Sequence, residues 1–424
     1  MKNIQYQPSN LERFIPISLE KLILDLLNTS DLNSKDKELF IQFYTRYIAV
    51  FHAHSHTDLQ YLKSLYHPFN PDKELIVNET SNAKQSSKNL KKELYTVLDN
   101  ANFEEISTKE LISSLNKTSP YGVKVSVDFE EFSDVRLFFR GASIKTESHR
   151  NWKRLKFKKQ AVDIQVYRRL FVFLQPRNRN DWVEHLVKNN KLSLKKAEKK
   201  VDKSLHELGI SGSKNIIYLK LFKDIPKDDL EMLFPNTRVQ IRLFDKIKLG
   251  LMGGSGTAGG IMATITKFTA AIDPVSALIA VGGLLGVIWR QISKVFSQRA
   301  KYSAILTKNL YFYSIDNNMG ALTYLADSAE AEECKEAILA YFFLLLKGKI
   351  TQDELDKTIE NYIGKQYNIP MDFEITDGLD KLQKANLLSR DNENISAVSL
   401  EQANSNLKIQ WNEILTNTIQ FDEI

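Results

Sequence analysis

One stretch of the chain, residues 249–289, carries only two charged side chains, Lys267 and Asp273, although 26% of the 424-residue sequence is charged. The stretch has two uncharged arms, residues 249–266 and 275–289. A helix needs about 20 residues to cross a hydrocarbon core of about 30 Å, so each arm must recruit neighbouring residues. The pattern predicts a hairpin of two transmembrane helices, and the short arms leave a buried hairpin of a soluble core as the alternative.

Basic residues flank this hairpin on both sides. Lys246 and Lys248 precede the first arm, and Arg290 and Lys294 follow the second. Basic residues accumulate on the cytoplasmic side of membrane helices. We therefore predict a membrane protein with two spans and with both termini in the cytoplasm.

Glycines in the arms recur four residues apart, which places each pair on one helix face. Such faces let helices pack closely in lipid, either within the chain or in a homo-oligomer. The predicted packing residues are Gly250, Gly254, Gly256, Gly260, Gly282 and Gly286. A GxGxxG string is also present here, but it lacks the preceding buried strand and the following acid of a dinucleotide site, so no cofactor is predicted.

The hydrophobic period divides the rest of the chain. Alternation at Val123, Val125 and Val127 indicates strands, whereas apolar residues before and after this region recur at helical spacing. The predicted fold class is an α+β membrane protein. Its regions are N-terminal helices (1–117), a basic β-rich soluble module with a helical insertion (118–246), the transmembrane hairpin (247–293) and an acidic, winged-helix-like helical domain (294–424).

Charge is distributed unevenly between these regions. Residues 136–203 contain 20 Lys and Arg against 6 Asp and Glu, whereas residues 302–424 contain 10 against 20. A basic surface beside a membrane attracts anionic lipids by about 1 kcal/mol per basic residue. We favour anionic membrane lipids or an acidic protein over nucleic acid as its partner. The basic residues assigned to this surface are Lys153, Arg154, Lys156, Lys158, Lys159, Arg168 and Arg169.

The C-terminal region has the helix signals of a winged helix. Asp327 and Glu330 suit the start of a first helix, and Thr351 with Glu354 forms a capping box before a second. A third helix and a polar turn near residue 390 follow. Acidic residues crowd the start of the third helix, which disfavours DNA phosphates. We expect a protein partner for this domain.

Catalytic signals are weak. On a helix, His52 and His56 share a face while His54 points away, so at most two of these three weak metal candidates can bind one ion. A solvated helix face is the favoured interpretation. Acid pairs such as Glu332 and Glu333 are expected at exposed caps or helix faces. No catalytic residue, metal or cofactor is assigned, and the protein is not expected to be an enzyme.

Several segments of the chain together resemble those of a known family. They are residues 14–16, 66–72, 139–141, 167–169, 219–230, 245–250 and 309–344. Together they resemble the domain of unknown function 3754, the transmembrane protein 143-like family, over about residues 12–415. The resemblance implies a membrane protein with two helices and supplies no active site.

Three functions follow from these observations. The leading hypothesis is a membrane-anchored cytoplasmic scaffold or interaction protein that binds anionic lipid or protein partners. The alternative is an oligomeric pore or transport-associated protein built from the glycine-rich hairpin. The third is a metal-dependent enzyme that uses the histidine cluster.

Overall fold

The computed structural model of the chain describes residues 11–72, 83–115, 124–149, 160–208, 215–234, 238–240, 304 and 310–416. The helices are α1 (Leu19–Thr29), α2 (Ser34–Tyr66), α3 (Ala83–Asn100), α4 (Thr108–Leu115), α5 (Arg179–Asn190), α6 (Leu194–Leu208), α7 (Asn318–Lys347), α8 (Gln352–Tyr367), α9 (Ile375–Lys384) and α10 (Leu400–Thr416). The strands are β1 (Glu104–Glu105), β2 (Lys124–Ser126), β3 (Phe132–His149), β4 (Gln160–Pro176), β5 (Tyr218–Pro226), β6 (Arg238–Gln240), β7 (Ser314–Asn317), β8 (Ile350–Thr351), β9 (Leu388–Asp391) and β10 (Asn394–Ala397).

An antiparallel sheet in the order β1-β3-β4-β5-β7 forms the first unit, called here the sheet unit. Alternating side chains of its central strand β4 point to opposite faces, as the strand period requires. Phe171 and Phe173 pack with α3 and the first half of α7, whereas Leu170 and Val172 pack with α4 and the 3-10 helix Lys227–Leu233. Both faces of the sheet are therefore covered. The insertion α5–α6 has its own small core around Trp182.

The second half of α7 begins the other unit, called the helical unit. It is followed by β8, α8, α9, β9 and β10, and the three short strands pair in the order β8-β10-β9. This is the element order of a winged helix. The capping box of Thr351 and Glu354 is formed in both directions at the start of α8. Helices α1 and α10 and the first half of α2 pack on the same core, whereas Leu62 and Tyr66 at the end of α2 lie in the core of the sheet unit.

Helix α7 is shared by the two units. Ala321 and Leu325 lie in the core of the sheet unit, and the run from 337 to 344 lies in the core of the helical unit. In the helical unit the Tyr341 ring stacks on Phe43 with centroids 4.0 Å apart. The helix begins at Asn318, before the start predicted from Asp327, because its first turns are buried against the sheet.

Residues 11–17, called here the N-terminal strap, cross both units. The Glu12 amide donates to the Pro370 carbonyl at 3.0 Å, and the Asp372 amide donates to the Glu12 carbonyl at 2.9 Å. The Phe14 ring lies against Gly141, which has a φ of +73° and no room for a Cβ atom. The strap therefore links the start of α9 to strand β3.

The prediction of an α+β membrane protein with two transmembrane helices and cytoplasmic termini is wrong. Within the part of the chain that the structure describes, no helix is long and apolar enough to cross a membrane. The longest described helices, α2 and α7, carry charged residues within their sequences, and α7 has Glu332, Glu333, Lys335 and Glu336 at its centre. The segment predicted as the hairpin, 247–293, and its six glycines lie outside the described residues.

Candidate ligand-binding site

Four charged residues in the middle of α7 are buried. Glu332, Glu333, Lys335 and Glu336 are each at most 9% exposed. Removing a charge from water costs several kcal/mol unless the charge is paired and hydrogen-bonded. Their surroundings therefore determine what this part of the molecule can do.

Glu332 and Lys335 face the N-terminal strap. The Ile15 amide donates to Glu332 Oε2 at 2.9 Å, while Lys335 Nζ donates to Glu332 Oε1 at 2.7 Å and to the Ile15 carbonyl at 2.6 Å. Arg140 of β3 lies 3.9 Å from Glu332, and its guanidinium sits over the Phe14 ring. Burial lowers the pKa of Lys335, and the pairing with Glu332 opposes that shift. This network stabilises the contact between strap, sheet and α7.

Glu333 and Glu336 face α9 instead. Lys381 Nζ lies 2.9 Å from Glu333 Oε1 and 3.7 Å from Glu336 Oε2. Asn100 Nδ2 donates to Glu333 at 2.9 Å, and Asn102 Nδ2 donates to Glu336 at 3.0 Å. Burial raises the pKa of Glu336 to about 8, although Lys381 and Asn102 act in the opposite direction. Burial also raises the pKa of Glu333.

A cavity of about 410 Å³ includes this second cluster in its wall. Its volume lies within the range of about 300–1,000 Å³ that is typical of small-molecule sites. Helices α2, α7, α9 and α10 and the end of α3 all contribute to the wall. The lining residues are Tyr47, Val50, Phe51, His54, Ser55, Asp58, Asn100, Glu333, Lys381, Lys384, Ala385, Leu407 and Gln410.

Three polar groups of the cavity wall have no partner among the residues that the structure describes. The Tyr47 hydroxyl is buried and makes no hydrogen bond. Asp58 and Lys384 are exposed, and neither forms an ion pair, with the other or with any described side chain. Buried hydroxyls are normally hydrogen-bonded, so the Tyr47 hydroxyl is an exception among the described residues.

The three histidines lie on α2 as the helical period requires. His54 lines the cavity, whereas His52 Nδ1 lies 2.8 Å from Glu330 Oε1. His56 contacts Gln60, and its ring centroid is 6.3 Å from that of His52. Across the described ranges, no group of three or more His, Cys, Asp or Glu side chains is placed to hold a metal ion.

Of the seven basic residues assigned to a lipid surface, the structure describes Arg168 and Arg169, and neither lines the cavity. Lys153, Arg154, Lys156, Lys158 and Lys159 lie outside the described residues. The Arg168 guanidinium lies over the Phe14 ring at 5.4 Å from its centroid. Arg169 Nε donates to the Tyr324 hydroxyl at 3.2 Å. Arg168 and Arg169 therefore take part in contacts between the sheet, the strap and α7.

Sequence reasoning missed the residues that form the cavity wall apart from His54. Glu332 and Glu333 were expected to be exposed, and that expectation is wrong, because the strap and α9 cover them. The sequence of residues 329–344 does contain a signal of this burial. Charged residues there are followed at once by a stretch that is apolar all round the helix, which is typical of a buried helix.

A comparison with known families matches residues 132–320 to the family described as Protein of unknown function (DUF3754). The chain contains a DUF3754 domain. This confirms the predicted resemblance to that domain, while the link to transmembrane protein 143 is not shown. No solved structure matches the chain.

The DUF3754 match extends from β3 to the first turn of α7. It includes Arg140, which meets Glu332, but it includes neither α2 nor α9. The cavity is built by residues on either side of the match. The family description names no activity, so the function of the cavity has to be argued from its own chemistry.

Proposed function

We propose that this protein is a binding protein whose cavity takes a small zwitterionic molecule with an apolar body. One observation carries the proposal. Among the described residues, the cavity wall holds an unpaired carboxylate, Asp58, and an unpaired ammonium, Lys384.

Electrostatic complementarity supports a ligand with both signs of charge. A cationic group of the ligand pairs with Asp58, and an anionic group pairs with Lys384. Two lysines are among the described residues of the cavity wall. Because Lys381 is already paired with Glu333 at 2.9 Å, Lys384 is the lysine that is available to a ligand. A ligand with one charge leaves either Asp58 or Lys384 without a partner, so complementarity favours the zwitterion.

The remaining wall supports an apolar body on that ligand. Val50, Phe51 and Leu407 contribute hydrocarbon surface, while Asp58 and Lys384 supply the polar groups. Small-molecule sites combine apolar walls with a few placed polar groups in this way. A free amino acid with an apolar side chain represents this chemical class.

Ligand binding at this position has a structural consequence. The cavity lies between α2, α7, α9 and α10, so a bound molecule adds contacts that hold these helices together. A ligand at about 100 times its Kd stabilises the folded chain by about 2.7 kcal/mol. We therefore place the protein among interaction proteins whose helical unit is stabilised by a small ligand.

Thermal denaturation and titration calorimetry of the full chain test this proposal. Leucine and phenylalanine are the probes, and their N-acetyl and amide derivatives, which each lack one charge, are the matched compounds. We expect the zwitterions to bind and to raise the Tm, and the derivatives to bind at least about tenfold more weakly, which corresponds to about 1.4 kcal/mol.

Variants identify the site. Asp58→Asn and Lys384→Gln are each expected to weaken binding by at least about tenfold, whereas Lys357→Gln, at an exposed lysine on α8 away from the cavity, is the matched control and keeps the wild-type affinity. Equal binding of the zwitterion and its N-acetyl derivative contradicts the proposal. So does binding that survives both cavity variants.

A further inference from the structure

A second, apolar groove lies on the surface of the helical unit between α2 and α10. Its volume is about 210 Å³, and Thr45, Arg46, Ala49, Lys408 and Trp411 line it. Val50 and Leu407 line both this groove and the ligand cavity. The groove is thus a separate surface feature that adjoins the candidate site.

Polar contacts fix the register of the two helices. Asn404 Nδ2 donates to the Leu39 carbonyl at 3.0 Å, and Arg46 Nη1 donates to Asn404 Oδ1 at 2.6 Å. Lys35 and Glu401 form an ion pair at 3.3 Å near the start of both helices. The helices therefore run in the same direction, and the groove between them is preformed.

Exposed apolar side chains continue the groove. Trp411 is 38% exposed, and Leu415, one turn further along α10, is 67% exposed. On α2, Ile41 lies one turn before Thr45 and is 43% exposed. Positions four apart share a helix face, so these residues extend the apolar strip over about two turns of each helix. Tryptophan is enriched among the residues that contribute most to protein interfaces.

The charge of the groove lining indicates the chemistry of the partner. Arg46 and Lys408 are the ionisable residues that line the groove, and no acidic side chain of the described residues lines it. This contrasts with the C-terminal part of the chain, where residues 302–424 carry 20 acids against 10 basic residues. The groove therefore complements an apolar surface with acidic edges.

We propose that this groove binds an amphipathic helix of a protein partner, with an apolar face and Asp or Glu along its edges. The partner helix lies along α2 and α10 and covers Trp411 and Leu415, as in helix-in-groove recognition. The strip from Leu407 to Leu415 is about 12 Å long, which matches about two turns of the partner. This proposal does not depend on the ligand cavity being occupied.

Fluorescence anisotropy of labelled synthetic peptides tests the proposal on the full chain. The probe is a helical peptide of about 16 residues with leucine at positions i, i+3, i+4 and i+7 and glutamate on its flanks. The matched peptide has lysine in place of glutamate. We expect saturable binding of the acidic peptide and at least about tenfold weaker binding of the basic one.

Three variants of the chain locate the binding. Trp411→Ala is expected to weaken binding of the acidic peptide by about tenfold or more. Lys408→Glu is expected to reduce the preference for the acidic over the basic peptide. Leu194→Ala, at an apolar residue of α6 that is 59% exposed, is the control and leaves binding unchanged. Circular dichroism confirms that each variant is folded.

Three results overturn the proposal. The first is equal binding of the acidic and basic peptides, and the second is acidic-peptide binding that Trp411→Ala does not alter. The third is failure of both peptides to bind; if dodecanoate then binds and is lost in Trp411→Ala, the occupant is an anionic amphiphile.

Discussion

Glu336 is a buried carboxyl whose neighbours come from three parts of the chain. Asn102 donates to it, Lys381 lies 3.7 Å away, and Glu332 and Asp377 add negative potential. Burial is the largest influence and raises its pKa from 4.5 to about 8. Folding therefore favours the protonated form of this side chain at neutral pH.

This shift predicts how stability depends on pH. Between pH 4.5 and about 8 the folded chain holds a proton on Glu336 that the unfolded chain has released. The contribution to stability is thus present in full below pH 4.5 and is lost as the pH rises through about 8. One such proton lowers the free energy of unfolding by about 1.4 kcal/mol per pH unit. Urea denaturation at a series of pH values measures this slope.

Glu336→Gln removes the titrating group and is expected to make the slope shallower over this pH range. Glu393→Gln, an exposed carboxyl in the turn between β9 and β10, is the matched control and should keep the wild-type slope. If Glu336→Gln and the wild type have the same slope, Glu336 does not titrate in this way.

At the residue scale, the sequence predicted what helical spacing alone determines. The shared face of His52 and His56 is present. The burial of Glu332 and Glu333 was not predicted, because the groups that cover them are far away in sequence. Ile15, for example, is 317 residues from Glu332.

The packing of α9 on α7 brings Lys381 to the cavity, and Gly378 permits it. A Cβ atom at Gly378 would lie 3.1 Å from the backbone oxygen of Glu336 and 3.2 Å from its carbonyl carbon. A backbone neighbour cannot rotate away as a side chain can. The close approach of these helices therefore favours a residue without a side chain at this position.

Gly378→Ala is accordingly expected to destabilise the protein by about 1–3 kcal/mol, through overpacking that exceeds the gain in helix propensity. Gly364→Ala in α8 is the matched control, because a Cβ atom there would lie 3.9 Å from its nearest neighbour, the backbone oxygen of Ile369. That substitution is expected to stabilise by about 0.4–1 kcal/mol. Denaturant unfolding measures both, and a stabilised Gly378→Ala variant contradicts the close approach.

At the element scale, the sequence predicted a helix or strand best where a single local pattern determines that element. The capping box at Thr351 starts α8, and the alternation around Val125 corresponds to β2. The start of α7 was misplaced because acids at 327 and 330 resemble a cap. Helix caps and exposed helix positions have similar composition, so only the packing of the first turns on the sheet distinguishes them.

The N-terminal strap connects the sheet unit to the helical unit. Phe14 contacts Gly141 of β3, and Ile15 bonds to Glu332 and Lys335 of α7. Glu12 pairs with the segment before α9, and Arg13 forms an ion pair with Glu374 there. Few residues thus connect parts of the chain that are far apart in sequence.

Deletion of residues 1–17 is expected to lower the Tm and to split the unfolding transition into two, because Glu332 and Lys335 lose their hydrogen bonds to Ile15 at the boundary between the units. A buried polar group that is left without its hydrogen-bond partner costs about 1–3 kcal/mol. Differential scanning calorimetry records the transitions. Leu11→Ala, at a strap residue that is 60% exposed, should leave the scan unchanged. A single transition at the wild-type Tm would show that the strap does not couple the units.

At the scale of the whole molecule, the sequence predicted the class of elements but not their assembly. The N-terminal helices α1 and α2 join the core of the C-terminal unit, a contact between opposite ends of the chain. Periodicity within a window identifies elements and their buried faces, but it carries no information on which faces meet. The cavity between α2, α7, α9 and α10 is a product of that assembly and had no local signature.

The sharing of α7 also limits how such a protein can be rearranged during evolution. Each unit uses one half of this helix as a wall of its core. A recombination event within or beside the helix leaves one of the two units with a core that lacks one wall. The sheet unit and the helical unit are therefore expected to be inherited, duplicated and lost together rather than exchanged as separate modules.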